Sequence, residues 1–211
     1  MDVFLKPEEI AVRQRIRDYF RDNRGFAPAG YSGPDGPLQA SQFLKDMGFP
    51  GLGATGPLGF VKHALIIDEV SCASPRLGQV LLAFWITPQD PHRAEYPAAL
   101  AAWSVGAATA IFKACLKTAR EKGFFKSTLM DHQKVQMDLA NLLSGLEAAR
   151  VQTYRALHLI DRGKNERGES ELERASNLAG RTHDGAKALA AVLLDENWVK
   201  ENIPENERSG S

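Results

Sequence analysis

The most regular pattern in this chain runs through its second half. Leu139, Leu142, Leu146, Ala149, Thr153, Ala156 and Ile160 recur at steps of three and four residues. That spacing puts them on one face of an α-helix. A second such series, Leu172, Ala175, Leu178, Ala186, Leu189 and Val192, predicts another long helix after a stop at Gly163. Ahead of both, residues 98–123 form an alanine-rich run (AALAAWSVGAATAIFKACLKTAREKG) whose small side chains suit close helix packing. Three long helices joined by short loops favour an antiparallel bundle.

The first half is shorter in rhythm. Pro7, Glu8 and Glu9 open a helix, where the orphan N–H groups and the dipole favour them. Ile10, Val12, Ile16, Tyr19 and Phe20 give it an approximate apolar face. QASQFLKDMG predicts a short helix ended by Gly48, and VKHALIIDEVSCAS a compact apolar helix closed near Pro75. Residues 77–86 are apolar without a clear period, so helix and strand stay open there. TPQDPHRAEYP predicts a loop. No strand stands out, so the fold class predicted is all-α. The predicted division is an N-terminal helical region over residues 1–95 and a long-helix bundle with a short charged tail over residues 96–211.

Charge and composition narrow the function classes. Lys plus Arg and Asp plus Glu balance at 26 each, which gives no pull toward nucleic acid or an anionic membrane. No apolar run reaches the roughly 20 residues of a membrane span. Two cysteines without metal spacing, Cys72 and Cys115, point to packing residues in a reducing, cytoplasmic setting. The five histidines lack metal-ligand spacing, so solvated or capping roles are expected and no metal site. GLGATG, residues 51–56, matches a dinucleotide fingerprint in letters, but no βαβ pattern surrounds it. A glycine-rich connector is the better reading.

The order of segments resembles the acyl-CoA dehydrogenase family in two blocks. FLKDMGFPGLGATGPLGFVKHALIIDEVSCASPRLG is similar to the family's opening helices, with Asp68 and Glu69 at its acidic pair. SVGAATAIFKACLKTAREKGFFKSTLMDHQKVQMDLANLLSGLEAARVQTYRALHLIDRG is similar to its first two long C-terminal helices. Phe125, Leu129, Gln133, Leu139 and Ala140 fall on a pattern that meets the flavin there, while Lys122 and Lys126 replace its arginine and glycine. The resemblance implies the family's N- and C-terminal helical domains joined directly. The middle β-domain that covers the flavin has no room, and the terminal glycine turn and catalytic loop find no counterpart. Some members place the catalytic base just before the first long C-terminal helix, and Glu95 stands within one residue of that place.

Two functions follow as expectations. One is a relative without independent catalysis: an oligomerisation scaffold, or a heteromeric partner of a full-length dehydrogenase. It would hold no cofactor alone, and Phe125, Gln133 and Lys122 would reach FAD only in a mixed complex. The other is a reduced FAD-dependent acyl-CoA dehydrogenase using Glu95.

Overall fold

A computed structural model of the chain describes residues 5–22, 42–49, 59–85, 95–124 and 127–203. The fold is all-α. Its elements are α1 (Pro7–Asp22), α2 (Gly59–Ala73), α3 (Pro75–Trp85), α4 (Glu95–Glu121), α5 (Gln133–Asp161), α6 (Asn165–Leu193) and α7 (Glu196–Asn202). A helical turn at residues 42–46 precedes α2, and Gly48 closes it at φ +72°.

The long helices α4, α5 and α6 form the centre. The turn between α5 and α6 reverses the chain at Gly163, φ +74°, and the Gly163 and Lys164 N–H groups donate back to Ile160 and Leu159 at 2.8 and 2.9 Å. Such closure takes up carbonyls that the helix end leaves free. α4 and α6 therefore run parallel, with α5 antiparallel between their directions. At one end Ala119, Leu139 and Leu193 share a cluster, and at the other Ala98, Ile160 and Leu172 share another. All seven residues of the α5 series are buried, as the spacing predicts. On α6 the series holds through Ala186 but fails at Val192, which is 79% exposed.

α2 is apolar on nearly every side and lies in the core, with Val61, Ala64, Leu65, Ile66, Ile67 and Val70 buried. It crosses α4 at very short range. A Cβ on Gly106 would stand 2.3 Å from the Asp68 carbonyl oxygen and 2.6 Å from Ser71 Cβ, both on α2. Gly78 of α3 meets the same Ser71. Glycine at these positions lets three helix backbones converge on one serine. The N-terminus of α2 is capped from far away: Asp161, the last residue of α5, accepts from the Phe60 and Val61 N–H groups at 2.9 and 3.2 Å.

Five expectations change. Residues 75–85 are helix, so the open choice there resolves to α3. α4 starts at Glu95, inside the predicted prolyl loop, because Pro97 falls in the first turn, where its missing N–H costs nothing. The last long helix stops at Leu193, and Asp195 caps a new one, α7, by accepting from the Asn197 N–H at 2.8 Å. Two strands do occur, Gly123–Phe124 and Ser127–Thr128, a minimal antiparallel hairpin. α4 also meets the length and composition of a membrane span, against the expectation that no run would. Its buried residues pack on α2, α5 and α6.

The histidine expectation is corrected at two positions. His63 is buried on α2, its Nδ1 2.8 Å from the Gly59 carbonyl oxygen. His183 is buried on α6, edge-on to Trp103 of α4 at 4.8 Å. Burial, and then Lys187, push the His183 pKa down to about 4, with Asp184 opposing. The unfolded chain takes up this proton near pH 6.5, whereas the folded protein resists it until about pH 4. Stability is therefore expected to fall as pH drops through that window, by roughly 3 kcal/mol from this group. Urea unfolding across the window checks it: His183→Phe should flatten the slope, and an unchanged slope would assign it elsewhere.

Candidate functional site

Two places combine polar side chains from distant parts of the chain. The first is a buried ionic cluster on α2. Asp68 and Glu69 are adjacent, only 2% and 8% exposed, and point to different neighbours. Buried carboxylates need cations and hydrogen bonds to offset lost hydration. Asp68 receives both from α5. Arg150 donates through Nε and Nη2 to its two oxygens at 3.2 Å each, and the Tyr154 hydroxyl donates to Oδ2 at 2.9 Å. Arg150 also donates to Thr109 Oγ1 of α4 at 2.7 Å, and that hydroxyl donates to the Val105 carbonyl.

Burial works against the Arg150 charge, but Asp68 outweighs it and raises the guanidinium pKa. Burial and the Asp68 charge likewise raise the Tyr154 phenol, which stays protonated as a donor. Glu69 faces α1 instead. Arg17 binds it with two hydrogen bonds of 2.7 and 2.8 Å, and Arg13 Nε lies 3.1 Å from Oε1.

Cys72, one turn from Asp68, accepts from Lys113 Nζ at 3.0 Å. It is partly exposed and paired, so the packing expectation holds only for Cys115, which is fully buried in the α4–α5–α6 core. Burial raises the Cys72 thiol despite Lys113, and the neighbouring acids add to the rise. A protonated thiol is a poor nucleophile. Asp68 and Glu69 are both paired with arginines of other helices, and the cluster joins α1, α2, α4 and α5.

The second place is the hairpin end of the bundle. Lys122 leaves α4 exposed, and its carbonyl accepts from the Leu129 N–H at 3.1 Å. Thr128 and Asp131 close a capping box there: Asp131 Oδ2 accepts from the Thr128 N–H and hydroxyl, bonds that lower its carboxyl pKa. Gln133 is the exposed first residue of α5. Lys122 and Gln133 thus share one rim. Phe125 and Lys126 lie outside the described residues, as do residues 51–58 with the GLGATG run. Glu95 heads α4 at the opposite end of that helix, and its side chain is not described. The rim around Lys122 and Gln133 is open to solvent.

Beside this rim a groove of about 460 Å³ runs between α5 and α6, floored by Gly145, Gly185, Leu142 and Leu189 and edged by Lys134, Asp138 and Val192. Met137, Leu143 and Val192 are exposed on the two helices that form it.

The buried cluster escaped the sequence reading, which treated Asp68 and Glu69 as a family marker only. A usable signal was present. An acidic pair within IIDEV, on a helix apolar all round, requires cations. Arg150 stands one turn from Leu146 and Tyr154, on the inward side of α5.

Residues 98–191 match the model of the acyl-CoA dehydrogenase C-terminal domain. Cyclohexane-1-carbonyl-CoA dehydrogenase from Geobacter metallireducens is 33% identical over 131 residues, which cover 59% of this chain and 34% of that protein. The chain thus matches about a third of the length of this curated relative. No solved structure matches it.

Proposed function

We propose that the chain, whose residues 98–191 match the acyl-CoA dehydrogenase C-terminal domain, is a relative of that family serving as a helical assembly subunit without independent catalysis. It assembles with itself or with a full-length dehydrogenase. One observation carries the reading. α3 ends at Trp85 and α4 begins at Glu95, so only residues 86–94 stand where the family's β-domain would cover a flavin. A domain needs at least about 50 residues.

The α5–α6 groove, lined in part by the exposed Val192, supports the assembly role, as do the exposed Met137 and Leu143 on α5, because exposed apolar side chains mark contact surfaces. α4 contributes its apolar surface to protein and not to lipid. In a mixed complex Lys122, Phe125 and Gln133 face a flavin held by the partner subunit. The relative's name describes a dehydrogenase acting on an alicyclic acyl-CoA. A partner of that substrate class is the natural first choice.

The test is the visible spectrum of the purified chain, followed by FAD titration and gel filtration. We expect colourless protein that takes up no FAD. Stoichiometric flavin surviving gel filtration would replace this reading with the reduced enzyme, in which Glu95→Gln should abolish acyl-CoA oxidation.

A further inference from the structure

We propose that two copies of this chain associate through a charged seam, α4 of one copy lying antiparallel to α6 of the other. Lys113, Lys117 and Arg120 are exposed and lie on one face of α4, at steps of four and three residues. Glu173, Glu169 and Glu166 are exposed on one face of α6, and counted backward their steps are also four and three. Antiparallel helices therefore pair Lys113 with Glu173, Lys117 with Glu169 and Arg120 with Glu166. In parallel orientation the middle pair falls out of step by one residue.

Lys117, Arg120 and the three glutamates have no ion-pair partner among the described residues, whereas neighbouring Glu171 is already held by Arg155 and Arg167. Lys113 reaches Cys72 with one of three available protons, which leaves two for a second acceptor. Within one chain the two stripes sit toward opposite ends of parallel helices, so they cannot satisfy each other. A second copy turned end over end brings them together. The seam is distinct from the α5–α6 groove and does not depend on the flavin question. Exposed ion pairs are individually weak and screened by salt, so the association is salt-sensitive and gains orientation more than strength.

Sedimentation velocity of the whole chain at low and high salt tests it. Dimer is expected at low salt, with dissociation at high salt. K117E/R120E and E166K/E169K should each weaken the low-salt dimer about tenfold or more, because two attractions become repulsions. The combined four-residue swap should restore it, as should an equimolar mixture of the two double variants. Circular dichroism confirms that each surface variant is folded. A monomer at low salt, a dimer indifferent to both reversals, or a swap that fails to restore association would each overturn the proposal.

Discussion

Asp68→Ala is expected to destabilise the fold by about 3–5 kcal/mol, the usual cost of leaving one partner of a buried ion pair uncompensated. The substitution strands Arg150, whose side chain is only 13% exposed, and deprives the buried Tyr154 hydroxyl of its acceptor. Thr109 remains as a neutral acceptor for Arg150, and the half-exposed Glu147 carboxylate, 3.5 Å from Nη1, offsets its charge only in part. Urea midpoints give the comparison. Arg150→Met in the same background should recover a large part of the loss, because the unpaired charge disappears with it. The double-mutant cycle then reports coupling between the two residues. Glu171→Ala is the surface control, since its partners Arg155 and Arg167 are more than 60% exposed, and it should move stability by at most about 1 kcal/mol. A loss for Asp68→Ala of the same small size would mean that the cluster is not what joins α2 to α5.

Gly106→Ala carries the second large effect. Ordinary overpacking costs about 1–3 kcal/mol, and this site belongs at the top of that range. The obstacle is the α2 backbone at Asp68, which cannot rotate aside as a side-chain tip would. Helix α2 must translate, and Asp68 and Ser71 move with it. Gly180→Ala on α6 is the matched control, because nothing lies within 4 Å of a Cβ there. It should stabilise by about 0.5–1 kcal/mol through helix propensity alone. Thermal unfolding of the pair therefore separates crowding from propensity. If both substitutions stabilise, the close crossing of α2 and α4 is wrong.

The long helices were legible because their information is local. Leu139 through Ile160 lie on one helix face, and three- and four-residue steps reveal that face without knowledge of what covers it. Boundaries slipped where one residue type has two uses. Pro97 reads as a loop breaker but is tolerated in the first turn, and Asp195 reads as part of a charged tail but caps α7. Val192 lies off the buried face, which at this end of α6 runs through Ala186, Ala190 and Leu193. The Asp68–Arg150 contact spans 82 residues, and no period encodes such a distance. Lys122 and Gln133 were singled out by family resemblance alone, and both are exposed at the hairpin end of the bundle. Glu95 lies at the other end of α4, so the two sets of candidates are not brought together.

The Asp161 cap has a consequence for the order of events during synthesis. The N–H groups of Phe60 and Val61 leave the ribosome about 100 residues before the carboxylate that receives them. At roughly 5–20 residues per second, that interval is about 5–20 s. Through this time α2 can pack on α1, α3 and α4 as each emerges, but its first turn keeps two uncapped N–H groups and its α5 side stays open to chaperones and to misassociation. Its helix becomes secure only when α5 has been made to its last residue.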